Sequence, residues 1–247
     1  MSVKTYFKTI IYSDPGVGKT VLFGSVVDVP EMLPAFMIDF EGNTDSIESK
    51  CHYLENFDDP LDINKLNVYR IKPREGVSRT SRITGVEKYE KVLNFLIDRR
   101  PCESVFIDSL SEIDHWNIKY LVKSRPQIKR QHPDVPDFPD YRANYEMTLD
   151  YLHVLRDTDM HIFASCHTYL DDEDKVIRPR ITGQLRTAVP GIFKQVGIMT
   201  VSNKTRVLRF QPYGAYHAKD CTEGGLMGDK IEDPTMRKLY NLRFGVQ

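Results

Sequence analysis

Short apolar runs alternate along the chain with longer segments in which apolar residues return every three or four positions. Residues 5–12 predict a first strand and residues 19–27 a first helix. Residues 35–40, Ala-Phe-Met-Ile-Asp-Phe, are apolar enough for a strand buried on both faces. Residues 67–71 predict a short third strand. Val86, Tyr89, Val92, Leu93, Leu96 and Ile97 share one helical face, predicting a helix over 86–99, and Pro101 follows it. Residues 104–108 predict a strand ending in Asp108. Helices are predicted over 111–123 and 141–156, then a buried strand over 160–166 that ends at His167. Residues 195–201 and 206–211, joined through Asn203 and Lys204, predict an antiparallel hairpin. Residues 216–220 read as a short strand or turn and 234–242 as a short helix.

Polar stretches separate these elements. Residues 72–85 read as a loop rich in Arg, Ser and Thr. Residues 124–140 hold Pro126, Pro133, Pro136 and Pro139, too many for a helix, and their length suits a functional loop. Residues 168–182 read as a hairpin or flexible loop, and the stretch with Gly224, Gly225 and Gly228 as a loop. Alternating strands and helices predict an α/β fold: a mostly parallel central sheet flanked by helices, with a C-terminal antiparallel hairpin. One domain over 1–247 is the simplest division, with its core at about 5–220 and a short tail over 221–247.

Apolar content of 40% and charged content of 28% suit a packed core. No apolar run reaches the roughly 18 residues of a membrane span, and the N-terminus shows no signal peptide. Cys51, Cys102, Cys166 and Cys221 form no C-x-x-C pair and read as reduced, mostly buried thiols of a cytoplasmic protein rather than zinc ligands. Net charge is −1, yet the basic residues are grouped. From Lys175 to Phe210 stand Lys175, Arg178, Arg180, Arg186, Lys194, Lys204, Arg206 and Arg209 with no acid among them. A second acid-free group is Lys119, Lys123, Arg125, Lys129 and Arg130. Such surfaces fit nucleic-acid contact, or else solvated faces and phosphate-site arginines.

The sharpest chemistry lies between the first strand and the first helix. Ser13, Asp14, Pro15, Gly16, Val17, Gly18, Lys19 and Thr20 match the phosphate-loop pattern G-x-x-x-x-G-K-[ST] at every position but the first, where Ser13 stands. Gly16 and Gly18 let backbone N–H groups turn inward onto a polyphosphate. Lys19 offers an ammonium to the β- and γ-phosphates, and Thr20 a hydroxyl to Mg²⁺. Asp108, at the end of an apolar strand, is the expected carboxylate for the same ion, with Ser109 an auxiliary polar contact. Asp39 and Glu41 follow the second strand, where an open α/β sheet faces its ligand crevice. ATP and Mg²⁺ are the cofactors this pattern expects.

Three of these stretches, Gly16-Val17-Gly18-Lys19-Thr20, Ile38-Asp39-Phe40-Glu41-Gly42 and Phe106-Ile107-Asp108-Ser109-Leu110, together resemble the core of the RecA/RadA ATPase superfamily. More closely, the chain resembles the phage nucleotide-binding proteins, small RecA-like ATPases of the single-strand annealing type found in phage recombination modules. Ser165-Cys166-His167, Arg178-Pro179-Arg180-Ile181-Thr182-Gly183, Pro190-Gly191-Ile192-Phe193 and Ala218-Lys219-Asp220 extend the resemblance over about 5–220. It implies a RecA-like P-loop NTPase core in which Glu41 positions or deprotonates the attacking water, with Asp39 sharing that role or structural. His167 stands at the family's γ-phosphate sensor, and the loop after it, with Tyr169, Arg178, Arg180 and Arg186, at a DNA-contacting loop. The proline-rich stretch with Lys123, Arg125, Lys129 and Arg130 would be the other DNA loop. Lys219 stands where relatives place a lysine reaching the neighbouring subunit's nucleotide, and Arg206 is its rival.

The resemblance therefore implies a DNA-stimulated Mg²⁺-ATPase that binds single-stranded DNA in phage-type recombination or strand annealing. The partners it implies are single-stranded DNA, further copies of the chain with nucleotide near the subunit interface, and a single-strand-binding or other recombination protein. The place is the cytoplasm, the host cell's if the chain is phage-encoded. The chain departs from RecA in starting almost at its first strand, without the helix and linker that join filament subunits; a ring, a short oligomer or a partner-dependent assembly are the alternatives. Two other readings compete: a nucleotide-gated adaptor or loader without fast hydrolysis, and a small-molecule (nucleoside) kinase with Asp39 and Glu41 on a sugar hydroxyl.

Overall fold

The computed structural model describes residues 5–71, 81–125, 129, 132–222, 228 and 230–245. Along the chain run β1 (Lys8–Tyr12), α1 (Lys19–Gly24), β2 (Ala35–Asp39), β3 (Cys51–Leu54), β4 (Leu66–Arg70) and α2 (Ser81–Arg99). Then come β5 (Ser104–Asp108), α3 (Leu110–Ser124), α4 (Phe138–Arg156), β6 (His161–Cys166), β7 (Thr168–Leu170), β8 (Ile177–Pro179) and α5 (Leu185–Ile192). The last elements are β9 (Gln195–Ser202), β10 (Thr205–Arg209), β11 (Lys219–Asp220), β12 (Ile231–Glu232) and α6 (Met236–Phe244).

Strand order in the main sheet is β12-β10-β9-β1-β6-β5-β2-β4-β3, with β11 also pairing β9. The pairs from β3 across to β9 are parallel, whereas β10, β11 and β12 join antiparallel. β6 lies between the strand that leads into the phosphate loop and the strand that ends in Asp108.

Because successive strand residues point to opposite faces, each central strand feeds two cores. Ile10, Tyr12, Phe36, Ile38, Val105, Ile107, Ile162 and Ala164 pack against α2, α3, α4 and α5. Ile11, Ala35, Met37, Phe106 and Phe163 pack on the other face against Leu22 and Phe23 of α1 and Met236 and Leu239 of α6. This parity places the site. Asp108 falls two residues after Phe106 and Ser165 two after Phe163, so both face α1, above which the phosphate loop turns.

Several boundaries differ from the expectation. α2 begins at Ser81, so residues 81–85 of the stretch read as a loop are helical, and the rest, 72–80, lie outside the described residues. The proline-rich stretch also ends earlier than its composition implies, since α4 starts at Phe138 with Pro139 in its first turn. Proline costs little there, where its missing N–H would have no helical partner. Asp137 and Asp140 form a reciprocal capping box at the same end. The short, half-exposed β3 carried no periodic signal, and α5 was missed although Leu185, Val189 and Ile192 share one helical face, because it is only about two turns long and holds Pro190. Residues 168–182 do form a hairpin, β7 with β8. Of the cysteines, Cys102 and Cys166 are buried, Cys51 is partly buried and Cys221 is exposed. No described helix is long and apolar enough to cross a membrane.

α2 and α3 approach closely at Gly85. A Cβ there would stand 2.5 Å from Cζ3 and 2.7 Å from Cε3 of Trp116, a buried ring stacked edge-on against Phe40 at 5.3 Å. Gly85→Ala is expected to destabilise by about 1–2 kcal/mol net, overpacking outweighing the helix gain. Gly191→Ala, within α5 and with nothing within 4 Å, is the reference without overpacking and is expected to stabilise slightly. Thermal unfolding of the two variants checks this.

Candidate functional site

β1 ends at Tyr12, and the chain turns through Ser13–Gly18 into α1. Gly16 (φ 77°) and Gly18 (φ 106°) hold backbone conformations that favour glycine, as the loop spacing requires. Lys19 is buried at the base of the turn, its Nζ donating to Ser13 Oγ at 2.9 Å and to Ser13 O at 3.2 Å. The departure from the pattern at Ser13 thus supplies the lysine with a hydroxyl partner. Burial lowers the Lys19 ammonium from its usual value, against the charges of Asp108 and Glu41. Asp14 accepts a hydrogen bond from the Thr168 hydroxyl, which ties the loop to the start of β7.

Thr20 and Asp108 meet. The Thr20 hydroxyl donates to Asp108 Oδ2 at 2.8 Å, and the Ser165 hydroxyl donates to Asp108 Oδ1. Burial, followed by the charge of Glu41, raises the Asp108 carboxyl to about 6 against those two bonds. Among the described residues no cluster of three His, Cys, Asp or Glu could cage a metal. One hydroxyl beside one carboxylate instead fits Mg²⁺, which keeps waters and substrate phosphates in its shell.

Asp39 is tied into the fold. Its buried carboxylate accepts from Glu41 N at 3.1 Å and Gly42 N at 2.7 Å through Oδ1, and from Arg70 Nε at 2.9 Å through Oδ2. These bonds shape the turn that presents Glu41. Glu41 Oε1 lies 3.0 Å from His167 Nε2. Burial pushes the Glu41 carboxyl up, but the nearness of the His167 imidazole and the Ser109 hydroxyl, with the charge of Lys19, outweighs it and holds it down at about 2. The carboxylate is therefore ionised at neutral pH and can accept a hydrogen bond from water. A cavity of about 700 Å³ brings together Gly16, Gly18, Lys19, Thr20, Glu41 and His167.

The AAA domain family matches residues 5–222. The chain belongs to this family. Its phosphate loop, with the acids around it, is that of a P-loop ATPase. No curated protein matches the chain. Among solved structures, the RadB recombinase is similar at 14% identity and a TM-score of 0.47, with 83% of each chain covered. An ATPase from the type III secretion system of pathogenic bacteria is similar at 13% identity and a TM-score of 0.43, with 78% of this chain covered. The AAA domain chain spans about half, 51%, of that ATPase's length.

A second cavity, of about 940 Å³, opens beside the first, and His167 and Glu112 line both. Lys123, Tyr169, Arg180 and Arg186 all line it, so residues from both basic groups converge. The Arg186 guanidinium stacks 3.7 Å from the Tyr169 ring centre. Lys123 pairs with Asp134 at 2.5 Å. Arg178 does not line the cavity and pairs with Asp174 of its own hairpin. Arg125 and Lys129 follow the end of α3 and are not among its lining residues, and Arg130 lies outside the described residues.

α3 holds the wall between the cavities. The Ser111 hydroxyl accepts from His167 N at 3.0 Å and donates to Arg180 O at 2.9 Å. One turn on, buried Asp114 accepts from Thr182 N at 2.9 Å, Thr182 Oγ1 at 2.9 Å and Asn144 Nδ2 at 2.7 Å. Asp114→Ala strands the buried Asn144 amide and two partly buried donors of Thr182, and is expected to cost about 3 kcal/mol of stability, measured by urea unfolding. Ser111 and Asp114 were given no role from the sequence, and Ser165 entered only within the stretch Ser165-Cys166-His167, because small polar residues in helices and strands carry no pattern of their own.

Lys219 and Arg206 have different surroundings. Lys219 is in register with Val196, which pairs Ile10 at mid-strand, and it shares the face that carries α2 to α5. It does not line its own nucleotide cavity. Arg206 is in register with Val201, past the end of β1, and packs on Gly18.

Proposed function

We propose that this chain is a RecA-like protein that binds and hydrolyses Mg²⁺-ATP and binds single-stranded DNA in phage-type recombination or strand annealing. What carries the reading is the shared wall: the cavity lined by the phosphate loop and the cavity lined by Lys123, Tyr169, Arg180 and Arg186 have His167 and Glu112 in common.

Gly16, Val17 and Gly18, between Pro15 and Lys19, turn their N–H groups onto the triphosphate, and Lys19 leaves Ser13 for the β- and γ-phosphates. Thr20 and Asp108 hold the metal. When bound, Mg²⁺ neutralises the charge that gathers on the phosphoryl oxygens. Glu41 accepts the proton or hydrogen bond of the attacking water. His167 orients the Glu41 carboxylate and, reaching the γ-phosphate's place, reports it to the hairpin that follows. In the second cavity Lys123, Arg180 and Arg186 take phosphates, and Tyr169 gives a base a stacking face. Lys219, set on the opposite face, serves a neighbouring subunit's nucleotide.

The test is ATP turnover with no DNA, single-stranded DNA and duplex DNA. Single-stranded DNA is expected to stimulate most. Its affinity is expected to fall with salt at a log–log slope of about −2, the value for three cations on phosphates. Absent binding, or binding indifferent to salt, contradicts the DNA half of the reading.

A further inference from the structure

Arg206 stands on the side of the phosphate loop that the chemistry above leaves empty. Thr20 leans toward Asp108, and Glu41 meets His167, so the reacting end of a triphosphate points toward β6, β5 and β2. β1 has its other neighbour in β9, which continues past it: Tyr12 pairs Ile198, whereas β9 runs on to Ser202. The β9–β10 turn therefore projects beyond the sheet's carboxyl edge on the side away from those acids. Leu208 is buried in the core under α1, so Arg206, two residues earlier on the same strand, faces α1 as well.

The side chain is already docked. A Cβ built on Gly18 would lie 3.2 Å from Arg206 Nη1, 3.3 Å from Cδ and 3.3 Å from Cζ. Three atoms of a planar group at nearly one distance mean that the guanidinium lies flat against the glycine. Its backbone is clamped, Arg206 N donating to Asp233 Oδ1 at 3.3 Å and Asp233 N donating to Arg206 O at 2.7 Å. The guanidinium itself makes no hydrogen bond or ion pair among the described residues, and the residue is only partly buried. A flat cation docked on the loop, with no protein anion among the described residues, is open to a ligand.

We propose that Arg206 holds the nucleoside end of ATP within its own subunit, its guanidinium stacking on the base. The inference rests on the nucleotide reading above. A guanidinium suits an aromatic face better than an ammonium does, because it is planar and weakly hydrated. This role is distinct from a finger reaching a neighbour's γ-phosphate, since the side chain lies over its own loop.

The test is equilibrium titration of the wild type, Arg206→Ala and Arg206→Lys with Mg²⁺-ATP, Mg²⁺-ADP and Mg²⁺-tripolyphosphate. Arg206→Ala is expected to weaken ATP and ADP about tenfold and to leave tripolyphosphate unchanged. Arg206→Lys, which keeps the charge and the fold but loses the plane, is expected to recover only part of the loss. Equal weakening of all three ligands overturns the proposal in favour of a phosphate contact. Unchanged affinities with slower turnover overturn it in favour of a finger in trans. A wild type that binds none of the three sinks the nucleotide reading itself.

Discussion

Glu41→Gln is expected to lower ATP turnover by about 10²–10⁴-fold while ATP binding stays near the wild-type value. The amide keeps the size of the carboxylate, and its oxygen can still accept from His167, whose Nε2 stands 3.0 Å from Glu41 Oε1. The turn beneath is fixed by Asp39, not by Glu41, through the bonds to Glu41 N and Gly42 N. What disappears is the negative charge and the capacity to take a proton from water. Phosphate release measured beside equilibrium ATP binding separates the two effects. Undiminished turnover, with or without DNA, would remove Glu41 from the mechanism.

Lys19→Ala is the second large effect, with turnover reduced by about 10²–10³-fold, the scale of losing one preorganised donor to developing charge. The ammonium is sequestered rather than solvated: 6% of the residue is exposed, and its bonds go to Ser13 Oγ and O. A ligand therefore recruits a cation already stripped of water, which strengthens its pull on phosphate. Triphosphate affinity should fall together with turnover, in contrast to Glu41→Gln. The paired measurement distinguishes a phosphate-binding cation from a proton acceptor.

Much of this site was legible because its parts sit at strand ends. Asp108 and His167 could be placed from apolar runs that stop at a polar residue, and Gly16, Gly18, Lys19 and Thr20 from a spacing with a mechanical reason behind it. That Thr20 and Asp108 would meet was expected from the loop pattern together with an apolar strand ending in an acid, whereas the strand order that brings them together was not legible. The second cavity could be read only as two basic groups far apart in sequence. Their convergence depends on Ser111 and Asp114, which bind the segment after β8 to α3. Hydrogen bonds of this kind leave no periodic trace. Likewise Arg206 was visible only as a cation in a basic stretch; its approach to Gly18 depends on how far β9 runs beyond β1. The start of α4 was hidden by Pro139, which weighs against helix everywhere except in the first turn.

One consequence of the alternating strands concerns how the molecule comes apart. β1, β2, β5 and β6 each give side chains to the cores on both faces, so neither core can be exposed while the other stays dry. Denaturation should then be cooperative, without a half-melted species. Since the phosphate loop, Asp108 and His167 follow the ends of these same strands, binding competence and tertiary structure should vanish at one denaturant concentration.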